Sequence, residues 1–315
     1  MPVMHLSSLT VRFSTIEVQP QIGGHTSRLL HYLRVCYLLE FVFYFYVSNY
    51  LKTGKSKQMS GKSAIEWTNM TWNPTIGCTR VTAGCDHCYA FLLHDQRHAI
   101  YQRYNGYWNA EQKTAMPRQY AQPFSTVQLL PERLDAPLRE KRPRMIFVDS
   151  MSDLFHSQIP DEYIFQVFEV MRQAHWHTFQ ILTKRPGRLR RLGLRLQWPS
   201  NVWMGVSIER DELTPRADAL RTVPAAVRFL SCEPLLGPLP SLKLEGIHWV
   251  IVGGESGPQA RPIQKEWVID LRDRCLNAHI PFFFKQWGGR TPKAGGRLLE
   301  GHTWDEYPIL QAVGD

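Results

Sequence analysis

From residue 145 onward the chain repeats one design. Short apolar runs at 145–148, 179–182, 202–206, 227–230, 249–252 and 282–284 each end in polar residues. Those endings are Asp149-Ser150-Met151-Ser152-Asp153, Thr183-Lys184-Arg185, Ser207-Ile208-Glu209, Ser231-Cys232-Glu233-Pro234, Gly253-Gly254-Glu255-Ser256 and Lys285-Gln286-Trp287. Runs this short, rich in β-branched and aromatic residues, read as buried parallel strands. Helical spacing falls between several of them. Tyr163, Ile164, Val167, Phe168, Val170 and Met171 recur on one face after an acidic start at Asp161-Glu162, and Trp267, Ile269, Leu271 and Cys275 do the same after Pro262. Strands alternating with helices imply right-handed βαβ crossovers. With one more strand expected within 65–72, the pattern favours a partial or complete TIM-type (β/α) barrel over a doubly wound open sheet. The active-site edge of such a barrel is where the polar strand ends gather.

The ends of the chain break this pattern. The run 36–47 is apolar but holds Glu40, and it is shorter than the roughly 18–20 residues that span a bilayer. It also begins too late, and without a small-residue cleavage site, for a signal peptide. The text after Met59 reads like the start of a protein. Residues 1–58 are therefore taken as a non-native or disordered extension, with a membrane-associating extension as the alternative. Residues 59–290 form the barrel domain and 291–315 a C-terminal tail. The stretch 93–139, polar and aromatic-rich, reads as irregular helices and loops.

Charge changes the picture little once it is divided. The chain has a formal net charge of +9, but 1–58 holds six Lys/Arg against two acids, leaving 31 basic and 26 acidic residues beyond it. The denser feature is local: 184–195 contains Lys184, Arg185, Arg188, Arg190, Arg191 and Arg195 and no acid. Arg188, Arg191 and Arg195 share a helical face, which reads as a phosphate-binding surface or as a solvated basic helix.

Cysteine placement changes it more. Of six cysteines, Cys78, Cys85 and Cys88 fall within eleven residues, with Gly77 and Gly84 each directly before a cysteine. Such clustering in a long chain suits metal ligation in a reducing cytoplasm better than disulfides. Three readings follow: buried free thiols, a zinc site completed by His87, His94 or His98, or a [4Fe–4S] cluster. Three thiolates on a cubane leave one iron open to a small molecule. That is the arrangement used with S-adenosylmethionine in radical chemistry, where an electron donor drives cleavage of the cosubstrate. A zinc deaminase is disfavoured because no His-x-Glu precedes the Cys-x2-Cys pair. Glu209, Glu233 and Glu255, with Asp149 or Asp153, would ring the mouth as candidate catalytic acids. Caps and ion pairs are their alternative. Lys184, Arg185, Arg261 and Lys285 are candidates to bind a carboxylate or phosphate.

The ordered run Trp72-Asn73-Pro74-x2-Gly77-Cys78, Gly84-Cys85-Asp86-His87-Cys88-Tyr89-Ala90, Asp153-Leu154-Phe155-His156, Leu182-Thr183-Lys184-Arg185, Gly205-Val206-Ser207-Ile208-Glu209, Ser231-Cys232-Glu233-Pro234, Gly253-Gly254-Glu255-Ser256-Gly257 and Phe284-Lys285-Gln286-Trp287-Gly288 resembles the phage-associated three-Cys-motif proteins, a domain of unknown function. The resemblance covers residues 62 to 290 and implies a three-Cys-motif partner protein. A looser resemblance to radical S-adenosylmethionine enzymes implies a cluster on the three cysteines and a cosubstrate contact at Gly253-Gly254-Glu255. Those enzymes usually carry Cys-x3-Cys-x2-Cys, whereas the first spacer here is six residues, and their Gly-Gly-Glu follows an earlier strand. Nucleic acid or nucleotide is the expected substrate and the cytoplasm the expected location.

Overall fold

The computed structural model describes residues 60–111, 114–291 and 293–309. The readings made for 1–58 lie outside them. Two short strands open the described chain, β1 (Ser60–Lys62) and β2 (Met70–Trp72), paired antiparallel. A small antiparallel pair follows, β3 (Thr75–Ile76) with β4 (Gln128–Leu129). Then come β5 (Met145–Val148), β6 (Thr178–Thr183), β7 (Val202–Ser207), β8 (Val227–Cys232), β9 (Trp249–Gly253) and β10 (Phe282–Gln286). All six apolar runs of the sequence are these six strands. Together with β2 they make a parallel sheet in chain order, β2-β5-β6-β7-β8-β9-β10, with β1 at its edge.

Strand alternation gives this sheet two apolar faces. On one, Ile146, Val148, Phe179, Ile181, Met204, Val206, Leu230, Val250, Val252, Phe282 and Phe284 join the large core cluster. They pack there with α3 (Asp161–Gln173), α4 (Pro186–Gly193), α5 (Pro215–Arg221) and α6 (Lys265–Asn277). Between β8 and β9 the buried Leu235, Leu239, Leu242 and Ile247 of a long loop do the covering instead. On the other face Phe147, Trp203, Phe229, Trp249, Ile251 and Phe283 gather around Trp67.

Trp67 shows that the sheet is curled. Its ring lies 4.7 Å from Phe147 on β5 and 6.4 Å from Trp249 on β9. In a flat sheet those strands, with three others between them, would stand about 19 Å apart, farther than one indole reaches. The curl does not close. The free edge of β10 is covered by 304–306: the Phe284 amide donates to the Trp304 carbonyl (2.9 Å), the Phe282 amide to Glu306 Oε2 (2.9 Å), and Phe283 bridges Asp305. Covering an exposed strand edge in this way removes a template for unwanted pairing. The result is a partial TIM-type barrel whose parallel strands end along one edge.

One expectation differs. Within 93–139, read as irregular helices and loops, residues 93–103 instead continue a regular helix, α1 (Tyr89–Arg103). Its buried side is Ala90, Phe91 and His94, packed near Ile76, Phe124 and Leu130, while Leu92 and Leu93 face outward. Apolar residues on both sides erase the one-sided stripe that announces a helix in sequence. A short α2 (Ala136–Arg139) completes that region.

Candidate metal centre

The cysteine loop leaves the carboxyl end of β2 and runs to the start of α1, so Cys88 directly precedes that helix. Gly77 adopts φ +97°, and a Cβ there would stand 2.2 Å from the Thr126 carbonyl oxygen. Only glycine allows the loop to pass so close. It delivers Cys78, whose amide donates to the Phe124 carbonyl at 2.9 Å. A 3-10 turn, Ala83–Cys85, sets Cys85 inward. All three thiols are free; Cys85 is buried, and the half-buried Cys78 and Cys88 pack beside Ile76 and Phe124.

Four strand ends grip this loop at successive points. After β5, Asp149 accepts from the Thr75 amide (3.1 Å) and hydroxyl (2.8 Å). After β6, Arg185 donates to the Thr79 carbonyl and hydroxyl, both at 3.0 Å, and reaches Cys78 Sγ at 3.7 Å. Asp153 steadies that arm, 3.6 Å from Arg185 and accepting from the Thr183 hydroxyl at 2.7 Å. After β7, the fully buried Glu209 accepts from the Thr82 hydroxyl (3.0 Å), from Arg216 (2.9 Å) and from Lys184. After β9, Glu255 pairs with His87 (2.9 Å) and with Arg261 (2.6 Å), and Arg261 in turn donates to the Ala83 carbonyl (2.7 Å). Glycine at 84 is required, because a Cβ would lie 2.5 Å from Glu209 Oε1.

The remaining strand ends behave differently. Glu233 after β8 pairs with Lys285 of β10 at 3.0 Å, and its other oxygen accepts from Ser231. Both side chains keep some exposure, 14% and 21%. Gly253 and Gly254 carry no side chain for reasons of packing. A Cβ on Gly253 would sit 3.0 Å from Glu233 Oε1, and one on Gly254 would sit 2.0 Å from the Trp287 carbonyl oxygen. A cleft of about 140 Å³ opens beside the loop, lined by Thr82, Gly84, Glu209, Arg210, Glu212 and Leu236 among others.

A family model described as protein of unknown function, DUF5131, matches residues 62–308. The chain belongs to that family. The matched span includes the cysteine loop, every strand end just described and the segment that covers β10. No curated protein matches the chain. Among solved structures it is similar to a spore photoproduct lyase complexed with dinucleoside spore photoproduct, at 12% identity and a TM-score of 0.40. That similarity covers 64% of this chain and 60% of the lyase's length.

In this DUF5131 chain the structure brings Cys78, Cys85, Cys88, Glu209, Glu255, Lys184 and Arg261 into one assembly, with Glu233 and Lys285 as a second pair. The sequence did not single out Arg216 or Thr82. Arg216 follows Pro215 in a seven-residue helix and reads as an ordinary surface arginine, yet it is buried against Glu209. Of the histidines weighed as zinc ligands, His94 Nε2 and His98 Nδ1 are held by the carbonyls of Gln122 and Tyr120, both at 2.9 Å or less. Among the described residues, no three His, Cys, Asp or Glu side chains converge tightly enough to share one ion.

Electrostatics around the loop are set by burial. Burial, reinforced by Asp153, pushes the Cys78 thiol up to about 11, while the Arg185 guanidinium pulls it back down. Burial likewise pushes the Asp149 carboxyl up to about 8, against the two Thr75 hydrogen bonds that favour the anion. The sign of the consequence is fixed. An unfolded Asp149 loses its proton near its ordinary pKa, the folded one only near 8, so stability from this group is complete in acid and is lost as pH rises across that interval. Asp149→Asn keeps the shape and tolerates the local φ of 58°. Between pH 5 and 8 the wild type is expected to lose a few kcal/mol more stability than this variant. Denaturant melts at both pH values measure the difference, and equal slopes would remove Asp149 as the cause.

Proposed function

We propose that this protein is an iron–sulfur enzyme of radical S-adenosylmethionine type, with Cys78, Cys85 and Cys88 as the cluster's thiolate ligands and a nucleic acid or nucleotide as substrate. One observation carries the reading: three thiols on a single loop, clasped by four strand ends, at the carboxyl edge of a curled parallel sheet. Such a clasp fixes the spacing of thiols that must each meet a different iron. The donor chemistry fits a cluster. Arg185 approaches Cys78 Sγ at 3.7 Å and the Thr82 hydroxyl lies 3.9 Å from Cys85 Sγ, and hydrogen bonds to sulfur tune such centres. When bound, a cluster with three protein thiolates leaves one iron open to a small molecule and supplies one electron at a time.

The chain's own residues then divide in two. Asp149, Asp153, Lys184, Arg185, Glu209, Arg216, Glu255 and Arg261 hold the loop. Glu233 and Lys285 are offered to a ligand: a carboxylate that accepts from an ammonium, and an ammonium that meets a carboxylate or phosphate. Free thiols suit the reducing cytoplasm, and no described helix is long and apolar enough to cross a membrane.

A second reading has its own observation. His87 Nδ1 is held by Glu255 at 2.9 Å, the carboxylate–histidine arrangement that orients an imidazole for zinc through Nε2. Zinc would have to draw the three thiolates and His87 closer together than they stand here, and would then make a structural site without catalysis. Anaerobic purification and reconstitution with iron and sulfide separates the two. The cluster reading expects a brown protein, unchanged in iron content by His87→Ala, that cleaves S-adenosylmethionine once reduced. A colourless protein holding one zinc, lost in His87→Ala, would overturn it.

A further inference from the structure

The helix α4 turns almost nothing but cations outward. Leu189 and Leu192 sink fully into the core, leaving Arg188, Arg190 and Arg191 and, two residues beyond the helix, Arg195. Arg188, Arg191 and Arg195 converge on a single carboxylate, Asp161, at 2.6, 3.9 and 3.3 Å. Arg188 is sunk and further committed to the carbonyls of His156 and Ile159. Arg191 and Arg195 remain 65% and 57% exposed, and Arg190 is exposed about 100° round the helix from Arg191. One carboxylate cannot neutralise three guanidinium groups, so that face keeps a net positive charge, to which Arg190 adds from the adjoining side.

This face also has a direction. Arg185, the residue at the start of α4, is the one that grips Thr79 and reaches Cys78 Sγ. Eight helical residues rise about 12 Å. The arginines therefore form a track that begins against the cysteine loop and runs about that distance along the outside of the barrel. An anionic lipid surface would call for an apolar rim on the same face; here Leu194 protrudes, while Phe165 is half-buried beneath the Arg195 guanidinium. A phosphodiester backbone asks only for guanidinium groups in series.

We propose that the α4 track, Arg190, Arg191 and Arg195, binds the phosphodiester backbone of a nucleic acid and lays it beside the cysteine loop. The inference deepens the reading above by locating its substrate's docking surface, and it rests on that reading only for what happens at the loop.

The test is binding of a labelled mixed-sequence single-stranded DNA oligonucleotide to the full chain between about 50 and 200 mM salt. Arg191→Ala/Arg195→Ala is expected to weaken binding about tenfold at the lower salt and to flatten the log–log salt slope by about 1.4, the loss of two phosphate contacts. Arg139→Ala/Arg172→Ala, which removes the same charge from exposed sites on α2 and α3, is expected to change affinity less than twofold. The proposal is overturned if the wild type does not bind, if both double variants weaken equally, or if vesicles of phosphatidylcholine and phosphatidylserine bind as well and lose that binding in the α4 variant. Iron content after reconstitution, measured on the same α4 variant, is expected to equal the wild type's. A protein that loads no cluster still tests this surface, and a clustered protein that ignores the oligonucleotide defeats this inference alone.

Discussion

Glu209→Ala is expected to cost about 3–5 kcal/mol of stability, because it leaves buried cations without their anion. Glu209 is wholly buried, and both its oxygens are occupied: one by Thr82 and Lys184, the other by Arg216. Removing it strands the Arg216 guanidinium, 7% exposed, and frees the Thr82 end of the cysteine turn. A carboxylate that served only to move a proton for a ligand would behave otherwise, lowering activity at unchanged stability. The double variant Glu209→Ala/Arg216→Ala distinguishes these roles. Its cost is expected to fall well short of the two single costs together, since each single change leaves a buried charge that the double change removes. Gly84→Ala approaches the same contact from the loop side and is expected to loosen residues 82–85. Denaturant unfolding gives the energies, and amide exchange at Ala83, Gly84 and Cys85 reports whether the loop opens. Additive costs, or a Glu209→Ala variant within 1 kcal/mol of the wild type, would assign Glu209 a role other than clasp.

The architecture was legible because buried parallel strands write themselves as apolar runs. The run 249–252 is buried on both faces, Val250 and Val252 toward the helices and Trp249 and Ile251 toward Trp67, so its sequence cannot alternate. Polar residues at each run's end then marked the edge where function would gather. The clasp itself was not legible. Glu209 and Glu233 follow their strands in the same way, yet one is sealed against Arg216 and Lys184 while the other stays half open beside Lys285. That difference is made by residues far away in the chain, and no local pattern carries it. The arginines of α4 show the opposite case. Their spacing gave the shared face correctly, but the partner that gathers them, Asp161, lies in another helix and reads in sequence only as an acidic helix start.

The cysteines give the sharpest contrast for experiment. Cys85→Ser is expected to hold no iron after anaerobic reconstitution, where the wild type holds about four irons per chain. Cys78→Ser and Cys88→Ser should fail in the same way, since a serine hydroxyl, far less acidic than a thiol, is a much poorer ligand for iron. Cys232 and Cys275 supply the control. Both are wholly buried in the core cluster, and burial raises both thiols, Cys275 to about 12. Neither lies on the cysteine loop; each fills space among the strands and helices of the core. Cys232→Ser is therefore expected to keep full iron while losing about 1–3 kcal/mol, the cost of burying a hydroxyl without a partner. Loop variants should lose iron with little change in the metal-free protein's unfolding, because the strand-end clasp grips Thr75, Thr79, Thr82, Ala83 and His87 and uses only Cys78 among the three thiols. Iron and sulfide per chain, visible absorption and a denaturant melt on each variant separate the two classes. Full iron in Cys85→Ser, or iron lost from Cys232→Ser, would move the metal away from this loop.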